Sequence, residues 1–288
     1  MKYINLTEDL GKKQLEDKWK GKFLDDSCYQ KVYKIEEDTA ILKPIPSLDG
    51  SDNALGYFIT NAYNDDNLIR NTLKSITDVS TMRANASGPI DKEEMKKKGM
   101  IEGEHYKLRT PNSYHVRTKS GGWGMIAYAN EISSVMIGAK RGRFTGKINV
   151  SNPKTWEKLE PLCRDVEIAF NRVAPEIYNR QRRFAEEYIA PEHRHGMVTT
   201  ISANRYSAMQ SKAMAVHSDG KDVEYTTMSC HRQGEYTGAY LSFPRWGVGV
   251  DLPDNCVCIA DSKSLHCVTP RSEEHTSELQ SRLHLVCR

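Results

Sequence analysis

The sequence predicts an α+β fold in which a helical layer is followed by a strand-rich half, with a barrel or double sheet as the scaffold. Two observations carry this. Leu162, Val166, Phe170 and Val173 recur at helical spacing and make one apolar stripe, and a second helical run, PEIYNRQRRFAEEY, begins at Pro175. From Met197 onward the texture changes to short runs of Thr, Val, Ile, Tyr and Phe broken by Gly, Pro, Asn and Asp, the pattern of antiparallel strands. A length of 288 residues allows one large domain, or such a domain with an N-terminal extension.

Taken in order, residues 1–110 are polar, lysine-rich and weakly periodic, with stretches such as SLDGSDN and NASGPIDKEEMKKKG, and read as an irregular N-terminal extension. Residues 111–270 read as the main domain. Within it, Lys140, Arg141, Arg143 and Lys147 around Phe144 form the best basic patch, able to pair with phosphates and stack a base, or to stand as an exposed loop. Asn152 and Pro153 signal a helix start. Ile177, Phe184 and Tyr188 of the second helical run are expected to face the same core as the first helix, with the arginines in water. Val248, Val250 and Leu252 alternate as in a half-buried strand, and Gly238, Pro244 and Gly247 punctuate the runs around them. The segment RSEEHTSELQS, from Arg271 to Ser281, reads as the conceptual translation of a sequencing-library adapter, so residues 271–288 are expected to be an artefact outside the natural domain.

Composition narrows the function classes. Lys and Arg total 41 against 38 Asp and Glu, and a formal charge of +3 demands no polyanionic partner. No run of eighteen apolar residues occurs, and the charged start is unlike a signal peptide; a soluble intracellular protein, in cytoplasm or nucleus and away from membranes, is the expectation. Seven cysteines at irregular spacing fit free thiols in a reducing compartment.

Chemistry concentrates in two places. In AVHSDG, His217 and Asp219 are two residues apart, so on a strand both side chains point to one face and can reach one metal. His266, in CIADSKSLHCV, follows after enough chain for several strands that could return it to the same mouth. Two imidazoles and one carboxylate make a facial set for iron(II) that leaves three coordination positions open. A competing set, Cys256, Cys258, His266 and Cys267, offers zinc-compatible ligands at unfamiliar spacing and would make this half a non-catalytic binding module. A further zinc set through His193 and His195 has weaker support; those histidines are expected on a polar loop.

PEIYNRQ, GMVTTISANRYSAMQSKAMAVHSDGKD, YTGAYLSFPRWGVGVDL and ADSKSLH, in that order and spacing, resemble the fungal and phage-type branch of the Tet/JBP-like dioxygenases over about residues 175–270. The resemblance implies a double-stranded β-helix (jelly roll) with N-terminal support helices, and His217, Asp219 and His266 as ligands of Fe(II). It implies 2-oxoglutarate and dioxygen as co-substrates, and hydroxylation of an unreactive C–H bond. The methyl group of a 5-methylpyrimidine in nucleic acid is the substrate it favours, ahead of a peptidyl or small-molecule target. Asp222 stands where relatives carry Asp or Asn after the metal strand, a place for turn support; Tyr240 and Trp246 could stack a planar substrate or pack the wall. Relatives continue past the distal histidine with Gly-Asn and a further strand bearing an arginine for the distal carboxylate of 2-oxoglutarate. Here Cys267, Val268, Thr269 and Pro270 follow, so the last core strand and its arginine are expected to be missing and co-substrate binding to be impaired.

Overall fold

The computed structural model describes residues 1–11, 18–20, 28–44, 53–65, 67–72, 108–110, 113–114, 125–127, 153–189, 191, 194–198, 200–206, 214–219, 224–232, 236–269, 271–272 and 280–286. Four strands come first: β1 (Lys2–Asn5), β2 (Lys31–Lys34), β3 (Thr39–Leu42) and β4 (Ala54–Ile59). Short strands β5 (Leu108–Thr110), β6 (Ser113–Tyr114) and β7 (Met125–Ala127) precede helices α1 (Pro153–Val173) and α2 (Pro175–Tyr188). The rest is β8 (Thr200–Tyr206), β9 (Met214–His217), β10 (Thr226–His231), β11 (Thr237–Gly238), β12 (Leu241–Phe243), β13 (Val248–Asp251), β14 (Cys256–Ala260), β15 (His266–Val268), β16 (Arg271–Ser272) and β17 (Gln280–Val286).

Alternation along β14 shows how the layers stack. Cys256, Cys258 and Ala260 belong to one buried cluster, while Val257 and Ile259 belong to another, as expected of a strand apolar on both faces. The first cluster lies between an eight-stranded mixed sheet, ordered β1-β3-β4-β14-β10-β17-β8-β7, and a five-stranded sheet, ordered β2-β13-β12-β15-β9. Phe58, Ile41, Leu55, Met228, Leu241, Phe243, Val248 and Val250 fill it. The second cluster joins the larger sheet to the helices through Leu159, Leu162, Val166, Phe170 and Ile177. Two facing sheets with a helical layer on one side agree with the expected α+β class and with a jelly-roll arrangement.

The helices form where the apolar stripe predicts them. Pro153 occupies the first turn, where its missing N–H breaks no internal bond. Pro161 falls on the exposed face of α1, so the carbonyl left without a donor can reach solvent. Ala174 adopts a non-helical conformation that ends α1, and Pro175 starts α2. The buried side of α2 is Ile177, Tyr178, Gln181 and Ala185; Phe184 packs at its margin, and Tyr188 is only half-buried. Gln181 is tolerated inside because its amide donates to the Tyr225 carbonyl at 2.7 Å, satisfying a polar group that burial would otherwise penalise.

Within residues 1–110, read from composition as an irregular extension, the described strands β1–β4 instead join both sheets. β3 and β4 pair with each other and β4 with β14, and β2 runs parallel beside β13. The physical reason is burial without alternation. TAIL and ALGYFI are almost wholly buried, while KYIN and KVYK form sheet edges, where charged and polar residues are expected. The strands within residues 2–59 therefore share both sheets with the strands that follow residue 111.

After His266, where the last core strand of the natural domain is expected to be missing, the segment read as an adapter-like tail supplies a strand. Residues 280–286 form β17, antiparallel to both β10 and β8, with Arg282 in register with Cys230 and Asn204. β8 and β10 each present main-chain donors and acceptors to the slot between them, and an extended segment of almost any sequence can satisfy these groups.

Phe58 is fully buried at the centre of the inter-sheet core. Phe58→Ala is expected to cost about 3–5 kcal/mol of stability, read as a lower urea midpoint with an unchanged slope.

Candidate metal centre

The candidate site forms where β9 and β15 run side by side in the smaller sheet. Their antiparallel register sets His217 directly opposite His266, followed by an irregularity before Val268 meets Met214. Opposed residues of an antiparallel pair share a face, and the two imidazole centroids lie 4.3 Å apart. Asp219 lies just past the end of β9. Its backbone N–H donates to the Ser262 carbonyl at 2.8 Å, bringing the carboxylate toward both rings. Asp219 Oδ2 is 3.6 Å from His266 Nε2 and 3.9 Å from His217 Nε2. Both distances exceed hydrogen-bond length and suit donors grouped around a shared point.

Among the described residues, His217, Asp219 and His266 are the His, Cys, Asp and Glu side chains whose ligand atoms converge, all within 4.8 Å of one another. Their burial is graded. His266 is 3% exposed and packs near the Phe243 ring, whereas His217 and Asp219 are half-open to solvent. His266 Nδ1 is 3.0 Å from the Ser264 carbonyl. A carbonyl only accepts, so Nδ1 carries the proton and Nε2 keeps its lone pair toward the site, the arrangement typical of metal-ligating imidazoles. Two nitrogen donors and one carboxylate oxygen, with one side of the group open, fit an iron(II) ion that must also admit small-molecule ligands.

The turn between β14 and β15, within ADSKSLH, has an organisation that the sequence alone does not show. Asp261 Oδ1 accepts from the N–H groups of Lys263 and Ser264, and Oδ2 accepts from Ser264 Oγ at 3.0 Å and Lys43 Nζ at 3.0 Å. The Asp261 N–H donates to the Leu55 carbonyl. Asp and Ser in ADSKS are turn formers, a signal of a turn but not of what that turn holds.

Other candidates are placed differently. Trp246 is buried in the inter-sheet core, with the Arg245 guanidinium 4.4 Å over its ring and Asp9 chelating that guanidinium at 2.7 and 2.8 Å, so its faces are taken by packing. Tyr240 stands edge-on to Tyr29 at 5.7 Å, and its main chain exchanges hydrogen bonds with Thr269. Asp222, Lys140, Arg141, Arg143, Lys147 and His193 lie outside the described residues. His195 sits in a tight turn closed by paired bonds with Val198. No arginine was assigned to 2-oxoglutarate from the sequence; Arg282 lies on β17, as described above.

The zinc set is not assembled. Cys256 and Cys258 face the inter-sheet core from β14, whereas Cys267 follows His266 on β15 and so turns to the opposite face. There Cys267 packs with Cys28, whose hydrogen bond, reinforced by burial, raises the Cys267 thiol well above the usual range.

A second histidine is buried away from the candidate metal ligands. Tyr63 hydrogen-bonds Ser229, Ser229 Oγ lies 2.7 Å from His231 Nε2, and His231 Nδ1 lies 2.9 Å from Asn255 Oδ1. This chain has the residue types of a nucleophilic relay, but Ser229 is fully buried, so no substrate can reach it. Burial depresses the affinity of His231 for a proton against the partial support of Asn255 and Asp254. As pH falls, the unfolded chain protonates first, near the ordinary value of 6.5. The stability contribution is thus complete above that value and is lost on acidification below it. The free energy of unfolding is expected to fall between pH 7.5 and 5.5, with the His231 contribution bounded at about 1.4 kcal/mol per pH unit, and His231→Gln should flatten that slope.

In sequence, no family model and no curated protein matches this chain. Solved structures do match in shape. NgTET1 in complex with 5mC DNA aligns with a TM-score of 0.54 at 12% identity, over 89% of this chain and 81% of that one. JOX2 in complex with 2OG, Fe and JA aligns at 0.43 and 11%, over 92% and 77%. A protein of the 2OG-Fe(II) oxygenase family from Caulobacter crescentus aligns at 0.42 and 11%, over 80% and 76%. The likeness to NgTET1 is one of fold. No helix among the described residues is long and apolar enough to cross a membrane.

Proposed function

We propose that this chain is an Fe(II)- and 2-oxoglutarate-dependent dioxygenase that hydroxylates a C–H bond, and that its substrate is the methyl group of a 5-methylpyrimidine in nucleic acid. The observation that carries the reading is the convergence of His217, Asp219 and His266 at one end of a two-sheet scaffold. The fold shared with NgTET1 supports the oxygenase class, and that protein's complex with 5mC DNA, together with the Tet/JBP-like motifs, favours the nucleic-acid substrate. Iron(II) bound with 2-oxoglutarate and dioxygen supplies oxidative hydroxylation, with succinate and carbon dioxide released.

The chain's own residues supply position and shelter. His217 and His266 hold two nitrogen donors at a spacing fixed by strand pairing, and Asp219 adds a negative charge beside them. The Ser264 carbonyl keeps the His266 proton on Nδ1, away from the site. Phe243 backs His266 with apolar surface from the inter-sheet core, which excludes water from that side. A base held within a duplex would have to leave the stack to reach such a site.

Anaerobic titration with Fe(II) and 2-oxoglutarate is expected to produce a weak visible charge-transfer band in the wild-type chain. His217→Ala should abolish it, with apparent iron affinity falling about 100-fold or more. Saturation is expected to need a high co-substrate concentration, since no arginine follows His266 in the family-like segment. Absence of the band from folded protein that binds 2-oxoglutarate would overturn the dioxygenase reading. Incubation with a 5-methylcytosine oligonucleotide tests the substrate: a mass gain of one oxygen is expected, and its absence during active 2-oxoglutarate turnover would refute that choice.

A further inference from the structure

We infer that Asp261 is a positioning residue whose single carboxylate sets two of the three metal-ligand side chains, Asp219 and His266, through the turn that joins β14 to β15. This rests on reading His217, Asp219 and His266 as a metal centre. Asp219 follows β9 and His266 opens β15, yet each is held by a main-chain carbonyl of the same turn. Ser262 O accepts the Asp219 N–H at 2.8 Å, and Ser264 O accepts His266 Nδ1–H at 3.0 Å. The carbonyl directions depend on the turn, and the turn depends on Asp261. Its Oδ1 takes the N–H groups of Lys263 and Ser264, at 3.1 and 3.3 Å, and its Oδ2 takes the Ser264 hydroxyl at 3.0 Å. The Ser264 N–H also reaches the Asp261 carbonyl at 3.1 Å.

The carboxylate is itself anchored from the larger sheet. Lys43, immediately after β3, reaches Oδ2 at 3.0 Å, and the side chains of this pair are only 20% and 16% exposed. The Asp261 N–H is fixed to Leu55 O on β4. The turn is therefore bolted to β3 and β4 on one side and presents two carbonyls to the ligands on the other. A neutral side chain of the same shape keeps part of this. In Asp261→Asn the amide oxygen can still accept the two N–H groups, but the amide nitrogen cannot accept from Ser264 Oγ or Lys43. In Asp261→Ala all four side-chain bonds are lost.

Two readouts on the full-length chain test the inference. The first uses no metal: nitrogen-15 histidine spectra of the apo-protein, with His266→Gln used to assign the resonance, report which ring nitrogen carries the proton. Wild type is expected to show a fixed Nδ1–H form, Asp261→Asn to retain most of it, and Asp261→Ala to show averaging between tautomers. The second is cobalt(II) titration by visible absorption. Affinity is expected to fall about 10- to 100-fold in Asp261→Ala and distinctly less in Asp261→Asn, giving rescue by the conservative variant.

A wild-type tautomer that is fixed but survives unchanged in folded Asp261→Ala would overturn the inference, as would cobalt affinity within about twofold of wild type. Should Asp261→Ala fail to fold, Asp261→Asn and Lys43→Met carry the comparison, and unchanged tautomer and affinity in both would overturn it equally. A fixed wild-type tautomer that is lost in Asp261→Ala, in a wild-type protein that takes up no cobalt, would support the positioning role while removing the metal-centre reading.

Discussion

The antiparallel register between β9 and β15 is the constraint on which the site depends. Side chains along a strand alternate with a period of two, so a slip of one residue would move His266 to the far face and bring Cys267 opposite His217. Much of the surrounding structure resists that slip. On its other side β15 is held by β12, with Leu241 opposite Val268 and Ser242 opposite Cys267. Behind it, Cys28 and Cys267 sit in a small apolar cluster with Val216 and Leu265 that would be broken by inversion. The irregularity after His266 lets the strand reach the next pair without disturbing the histidine pair itself.

The parts legible in the sequence are those where chemistry or periodicity leaves few alternatives. α1 declares itself through a 3.6-residue stripe, and the candidate ligands stand out by residue type, although Asp219 joins the cluster from just past the end of β9 and not along the strand. Other parts were hidden for particular physical reasons. β1 and β2 are edge strands whose lysines and tyrosines meet solvent, so they lack the apolar signature of a strand. β3 and β4 are buried on both faces and show no alternation. The burial of Gln181 has no sequence signal, because its polarity is satisfied by one carbonyl that only the fold brings near. Asp261 was illegible because its partner Lys43 lies more than two hundred residues earlier in the chain.

The two buried histidines show why geometry must be read together with access. His231 has the more complete hydrogen-bond chain, with Ser229, Tyr63 and Asn255 in sequence, yet it faces the helical layer and is sealed. His266 is nearly as buried, but its Nε2 faces a carboxylate and a partly open imidazole. Burial restrains both rings; only the second has a route to a ligand.

The slot between β8 and β10 carries a different kind of freedom. Its seven paired positions with β8 and five with β10 are held through the main chain, and such pairing is largely blind to the side chains it joins. A sheet with so permissive a central position can be completed in trans: a chain ending before the slot and a separate extended peptide would together rebuild the same ladder, as in donor-strand exchange. The larger sheet would then become a natural place to divide the molecule into two pieces whose reunion reassembles the fold around the histidine pair.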